Sequence, residues 1–285
     1  MKRILLIATI VTVFFVVSCE NNTTKVKDMI NRTVSVKKEP KAVCLVPGLL
    51  EWMNKLDLQD YVIGIGKDCR DIAHKKDLPV VGSFFNLDTN AIKKMQPDVV
   101  LALTTIDKYV LEWMINNKYN IVLFTFPKSM KDVYTAVELL GNVFDKSERA
   151  NKVLTQYKEK INTITQNGQK KQARGYYSIR FNDKLGEDMA ASGEHILGNL
   201  MEIAGITNLA KNKGDMIYHR DDIIKDNPDY VFLDIRQKED YANKEPYKSL
   251  SAVKNNKLIG IHPNLITAYS PKYIEVIKIM TEAIK

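Results

Sequence analysis

Residues 146–166 read KSERANKVLTQYKEKINTITQ. Their apolar side chains fall at Ala150, Val153, Leu154, Tyr157, Ile161 and Ile164, steps of three or four that mark one helical face. Ser147 offers a hydroxyl that can cap free amides at the entrance, and Glu148 a carboxylate that suits the positive helix end. No Gly or Pro interrupts the run before Gly168, so at 1.5 Å per residue it spans roughly 30 Å. Taken alone, this is one long amphipathic helix among several. Its flanks decide the fold, because they repeat one another.

Upstream, Asp88–Leu103 reads DTNAIKKMQPDVVLAL, and downstream His219–Asp234 reads HRDDIIKDNPDYVFLD. Setting Pro97 on Pro228 places the copies 131 residues apart, with Ile92 on Ile223, Lys94 on Lys225, Asp98 on Asp229 and Val100 on Val231. In both, a short helix ends at Pro-Asp, where the missing N–H blocks further helical bonding, and the chain turns into an apolar strand. One such match could be generic helix–turn–strand grammar. A single long helix between two copies favours two related lobes.

The remaining pattern fits that reading. A hairpin over 26–36, with Asn31-Arg32 at its turn, precedes apolar runs at Ala42–Val46, Tyr61–Gly66, Val99–Leu103 and Ile121–Phe126. Further runs follow the long helix at Gly175–Phe181, Tyr230–Ile235 and Lys257–His262. Helical segments separate them at 49–58, Thr89–Met95, Tyr109–Asn117, Met130–Val143, Glu194–Ala204, Arg220–Asp226, around Lys248–Lys254 and at Lys272–Ile284. Strand runs without polar alternation indicate parallel sheets covered on both faces. The expected fold is α/β, with Rossmann-like lobes over 25–144 and 169–285 joined by one long helix over 145–168. The Leu-Glu-Trp-Met segments that hold Trp52 and Trp113 read as core packing.

The first eighteen residues stand apart. Lys2 and Arg3 precede an apolar run from Ile4 to Val17, too short for an ordinary membrane span and the right length for a signal-peptide core. Ending in Val16-Val17-Ser18-Cys19, this stretch resembles a bacterial lipoprotein signal, which implies lipidation of Cys19 and a polar tether over 19–24. Loss of Lys2 and Arg3 with the leader lowers the formal charge from +8 to +6. The excess is scattered through Lys-rich helices without an Arg-rich block, which argues against nucleic acid as a partner. Cys44 and Cys69 remain; a disulfide and two buried thiols are both compatible with the sequence.

Across Lys25–Lys285 the chain resembles the class III solute-binding proteins of ABC importers, which handle ferric siderophores, haem and cobalamin. The resemblance rests on the order of its pieces: the opening hairpin, the first Pro-Asp segment, LLGNVFDKSERANKVLTQY entering the long helix, SGEHILGNLMEIAGITNLA, the second Pro-Asp segment and SLSAVKNNKLIGI. It implies two α/β lobes on a rigid helix, a largely pre-formed cleft between them, and an extracytoplasmic, lipid-anchored monomer. The implied ligand is a metal chelate or tetrapyrrole, delivered to an ABC permease and its ATPase subunit. Permease docking in this family uses a carboxylate two residues before the helix Ile of each Pro-Asp segment. Asp221 matches; Asn90 departs from the pattern, and Asp88 is the candidate substitute.

Ligands of open parallel sheets gather at the carboxyl ends of strands. Those ends carry Pro47-Gly48, Arg70, Thr104 and Phe126-Pro127 in the first half, then Arg180, Phe181, Arg236 and His262 in the second. The loop before the repeated helix adds Phe84 and Phe85, and its counterpart in the second half adds Tyr218. Guanidinium groups beside aromatic rings suit a large anionic, planar or chelated ligand. No HExxH or paired-His metal motif occurs, nor GxSxG, P-loop or GxGxxG, so neither a resident metal nor another cofactor nor catalysis is expected. An extracytoplasmic chelatase or hydrolase, or a lipoprotein without a transport role, are the alternatives on the same scaffold.

Overall fold

The computed structural model describes residues 22–83, 86–166, 173–182 and 185–285. The leader over 1–18, Cys19, Phe84 and Phe85 lie outside the described residues.

The chain opens as an antiparallel hairpin of β1 (Thr23–Lys27) and β2 (Thr33–Lys37). Thr23 and Thr24, expected in the tether, already pair with Lys37 and Val36. Asp28 builds the turn by accepting the amides of Ile30 and Arg32 at 3.1 and 2.9 Å, while Asn31 takes a positive φ of 65°.

A four-stranded parallel sheet follows, in the order β4-β3-β7-β8. Its strands are β3 (Ala42–Cys44), β4 (Val62–Ile65), β7 (Val99–Leu103) and β8 (Ile121–Phe124). A two-residue pair, β5 (Gly82–Ser83) and β6 (Asn86–Leu87), lies between β4 and β7. The helices are α1 (Pro47–Lys55), α2 (Thr89–Met95), α3 (Lys108–Asn116) and α4 (Met130–Val143). The long helix is α5 (Ser147–Thr165), with Ala150, Leu154, Tyr157 and Ile161 buried as the spacing predicts.

The second sheet is mixed. β9 (Ala173–Asn182), β13 (Tyr230–Asp234) and β14 (Leu258–Ile261) run parallel, and β11 (Ile206–Asn208) lies parallel to the start of β9. β10 (Glu187–Ala190) and β12 (Ile217–His219) add an antiparallel flank that the apolar-run reading missed. β10 is EDMA, with Asp188 and Ala190 buried and Met189 exposed, so it shows no apolar run. The helices here are α6 (Ile196–Ile203), α7 (Arg220–Asp226), α8 (Lys238–Asn243), α9 (Ser251–Lys254) and α10 (Tyr273–Ala283).

The repeat is a structural device. α2 and α7 each end in a left-handed residue, Gln96 at φ 48° and Asn227 at φ 40°, followed by Pro and Asp. Each Asp then clamps the approach to the neighbouring strand. Asp98 exchanges hydrogen bonds with the Lys41 backbone at 2.8 and 3.0 Å, and Asp229 with the Arg174 backbone at 3.0 and 3.2 Å. Ile92 and Ile223 bury completely as each helix's anchor.

Strand parity explains the continuous apolar runs. Val99, Leu101 and Leu103 of β7 and Tyr230 and Phe232 of β13 belong to one core shared with α1, α4, α5, α6 and α10. Val100 and Ala102, and Val231 and Leu233, face separate outer clusters. The shared core therefore spans both sheets.

The segment after β14 crosses from the second sheet to α1. Gly48 lies against it so closely that a Cβ there would sit 2.2 Å from the Ala268 carbonyl oxygen. Trp52 Nε1 donates to the Tyr269 carbonyl at 2.8 Å, and the Tyr157 hydroxyl donates to the Pro271 carbonyl at 2.9 Å. Tyr269 is fully buried at φ 64°, packs edge-on to Phe124 and donates its hydroxyl to the Thr125 carbonyl. Glu51 accepts from Ser270 Oγ at 3.0 Å and pairs with Lys272 at 2.5 Å. α5 is thus not the sole link between the halves: the crossing strap is another, and the Met130 amide donates to Asn199 Oδ1 at 2.9 Å.

Candidate ligand-binding cleft

β4 ends at Ile65, and Gly66 leads into a 3-10 turn over Lys67–Ile72. The turn buries Cys69 and exposes Arg70, which makes no ion pair among the described residues. Arg70, Asp71, Ala73 and Lys76 line a cavity of about 380 Å³. At the end of β7, Thr104 is exposed, and its amide donates to the Phe124 carbonyl at 2.9 Å. Beyond β8, Phe126 stands 54 % exposed, an aromatic ring the sequence places at a strand end without singling it out as a contact. Pro47-Gly48 at the end of β3 is closed off by the strap.

In the second sheet, Arg180 near the end of β9 is exposed and also without an ion pair among the described residues. Phe181 is half-buried, edge-on to Tyr241 and Tyr247 with centroids at 5.4 and 5.8 Å. Arg236, after β13, forms a two-pronged ion pair with Asp234, which holds that carboxyl below its usual range. Its charge is therefore largely matched, whereas Arg70 and Arg180 have no such partner among the described residues. Ile235 between the pair is 49 % exposed, a second apolar surface that strand-end residue types had not flagged. His262 is exposed after β14, with Nδ1 2.8 Å from Asn264 Oδ1.

Tyr218 does not belong with these residues. It is fully buried, edge-on to Tyr176 at 5.1 Å, with its hydroxyl donated to Asp226 at 2.5 Å. The 131-residue offset in fact sets Tyr218 on Leu87, which is also buried, and not on Phe84 or Phe85; β12 turns the ring into the core. There it flanks a buried carboxylate. Asp188 accepts hydrogen bonds from Tyr176 and Ser178 at 2.8 Å each and from Tyr247 at 2.6 Å. Burial raises its pKa, against the three hydroxyl bonds and the charge of Arg220, which favour the ionised form. The Tyr241 and Tyr247 rings that Phe181 rests on belong to this cluster.

Of the docking positions, Asp88 is the N-cap of α2, accepting the amides of Asn90 and Ala91 at 2.9 and 3.0 Å. Asn90 itself and Asp221 in the first turn of α7 are exposed. A cavity of about 760 Å³ lies between α5 and α10, and no strand-end residue lines it. Among the described residues, no group of three His, Cys, Asp or Glu side chains could hold a metal ion. Among the same residues no helix is long and apolar enough to cross a membrane.

The carboxyl-end loops of each sheet thus carry exposed cationic and apolar groups, Arg70 and Phe126 in the first and Arg180 and Ile235 in the second. Residues 43–265 match the periplasmic binding protein family. The chain belongs to that family. It is a family of non-enzymatic substrate-binding components of ABC importers, so the work of this periplasmic binding protein is capture and release. The chain is 22% identical over 266 residues to the uncharacterised ABC transporter substrate-binding lipoprotein YvrC of Bacillus subtilis, covering 91% of this chain and 84% of that one. It is 22% identical to the high-affinity haem uptake system protein IsdE of Staphylococcus aureus, covering 88% and 87%. The petrobactin-binding protein YclQ of Bacillus subtilis superimposes with a TM-score of 0.77 at 20% identity, covering 92% of this chain and 99% of that one. The α/β fold expected from the strand and helix pattern, with the two-lobe periplasmic-binding-protein architecture that the resemblance implied, is the fold observed.

Proposed function

We propose that this periplasmic binding protein is lipid-anchored through Cys19 outside the cytoplasm. It captures an anionic iron chelate, a ferric siderophore or a related haem or cobalamin ligand, between the strand ends of its two sheets. It then delivers that ligand to an ABC permease, docking through Asp221 on one side and the Asp88–Asn90 turn on the other. The observation that carries this reading is the pair of guanidinium groups without an ion pair among the described residues, Arg70 and Arg180, at the ends of strands in different sheets, together with the exposed Phe126 and Ile235. Unmatched cations attract chelate carboxylates or propionates, and exposed apolar groups cover a planar or bulky ligand. The relatives named for haem uptake and petrobactin binding support the same ligand class.

A thermal-shift and tryptophan-quenching panel of haemin, ferric siderophores, cobalamin and free metal salts tests it. One chelate should bind, and Arg70→Ala and Arg180→Ala should each weaken it about tenfold or more, the scale of a lost charge-assisted hydrogen bond. Arg236→Ala should do less, because its guanidinium is already matched by Asp234. Equal affinity in all three variants would remove these residues from the cleft. Cys19→Ala should move the protein from the membrane fraction to the soluble fraction, and persistence in the membrane pellet would refute the lipid anchor.

A further inference from the structure

Cys44 and Cys69 are 25 residues apart in sequence and adjacent in the fold. Cys44 closes β3, and its carbonyl accepts the Gly66 amide at 2.9 Å. One 3-10 turn later, the Cys69 amide donates to the Gly66 carbonyl at 3.0 Å, which brings Cys69 Sγ to 3.7 Å from the Cys44 carbonyl oxygen. Cys44 Sγ is turned to the Val46 carbonyl at 3.5 Å, so both sulfurs lie against the backbone around the end of β3. Both are fully buried and free. A sulfur 3.7 Å from the other cysteine's carbonyl oxygen puts the two residues side by side, the proximity that a disulfide requires.

We propose that Cys44 and Cys69 form a redox modification site. It closes into an intramolecular disulfide with a small-molecule or protein disulfide as co-reactant, and the bond staples the Arg70 turn to the end of β3. One cysteine thiolate attacks the co-reactant RSSR, forming a mixed disulfide and releasing RS⁻. The second thiolate attacks the mixed disulfide and releases the other RS⁻. Two S–H bonds are lost and one S–S bond is gained in the protein. RSSR takes the two electrons, and the two protons end on the released thiols.

The contact with Cys44, reinforced by burial, pushes the Cys69 thiol far above its ordinary range, so the closed turn is inert. Exchange runs when the turn opens or while the chain folds. The turn rests on few bonds: the Cys69 amide to Gly66, the Ala73 amide to the Arg70 carbonyl at 3.4 Å, and Asn54 Nδ2 to the Ile72 carbonyl at 3.2 Å. A covalent link one residue from Arg70 restricts where that guanidinium can reach. The link to ligand capture rests on the reading of Arg70 above; the thiol chemistry does not, and it is measured without any ligand.

The test uses the full chain with Cys19→Ser, so that only this pair reacts. Reduced protein is refolded from urea in oxidised glutathione, then examined by intact mass, alkylation, melting and amide exchange. The expected product is lighter by two hydrogens and resists alkylation at both cysteines. It melts about 5 °C higher than the reduced form and exchanges more slowly across residues 66–73. With Cys69→Ser added, Cys44 stays alkylatable or carries one glutathione, and the melting gain is lost. Two alkylatable thiols after refolding, or glutathione adducts without the loss of two hydrogens, overturn the site. A disulfide that leaves exchange across 66–73 unchanged overturns the staple.

Discussion

Asp188→Ala lowers the free energy of unfolding in urea by about 3–5 kcal/mol, the range for removing one partner from a buried charged network. The carboxylate is the common acceptor for Tyr176, Ser178 and Tyr247, and it has no exposed surface. Truncation leaves three hydroxyl donors in a buried site, with Arg220 beside the Tyr247 ring. Asp188→Asn keeps the shape and one acceptor oxygen, so its cost should be smaller, about 1–3 kcal/mol. The pH dependence carries a sign. Burial raises the folded-state pKa of Asp188, so its titration favours the fold below the unfolded-state pKa of about 3.9. That contribution is lost as pH rises through the folded-state value. The penalty of the Asn variant should therefore shrink between pH 4 and pH 7. A penalty below about 1 kcal/mol for the Ala variant would mean the network is not intact in solution.

Gly48→Ala should cost about 2–4 kcal/mol, at the upper end of overpacking penalties. The added Cβ meets the Ala268 carbonyl oxygen at 2.2 Å, the Tyr269 carbonyl carbon at 2.5 Å and the Ser270 nitrogen at 2.6 Å. All three are backbone atoms, so no rotamer change relieves the clash. The strap must move off α1, and that strains the Trp52–Tyr269 hydrogen bond and the Glu51 contacts. Trp52 fluorescence should shift to longer wavelength as its buried setting opens. Gly214→Ala is the control: a Cβ there has no neighbour within 4 Å, and the variant should be close to neutral. Equal unfolding curves for both variants would show that the strap packs more loosely than described.

Much of this architecture was legible because period and punctuation agree. α2, α4, α7 and β7 coincide with the segments read from spacing, since Pro-Asp and caps mark their ends. The elements that escaped are short or carry polar residues inward. β11 and β12 have three residues each, and β10 buries Asp188 within EDMA. The same failure explains Tyr218. Applied residue by residue, the offset sets Tyr218 on Leu87 of β6, buried like it, so a strand-edge position was read as a loop position when Tyr218 was grouped with Phe84 and Phe85. Arg236 was visible as a strand-end cation, yet its match with Asp234 two residues earlier depends on a turn that residue type does not reveal. The strap was hidden for a third reason. Its contacts link residues more than two hundred positions apart, Trp52 with Tyr269 and Glu51 with Ser270, and no local pattern encodes them.

In the proposed transport role, the shared core bears on how carriers compete. A ligand moves a conformational equilibrium only by its difference in affinity between the two states. Here a more open state would have to break the strap and part the core beneath both sheets. Loaded and empty molecules then present nearly the same outline to an importer that touches both lobes. Shape alone gives the importer little basis for choosing between them, so the exposed cargo or the loops at the cleft mouth must supply the discrimination. Without it, surplus empty carrier occupies the importer's docking face, and raising carrier abundance beyond the ligand supply slows uptake.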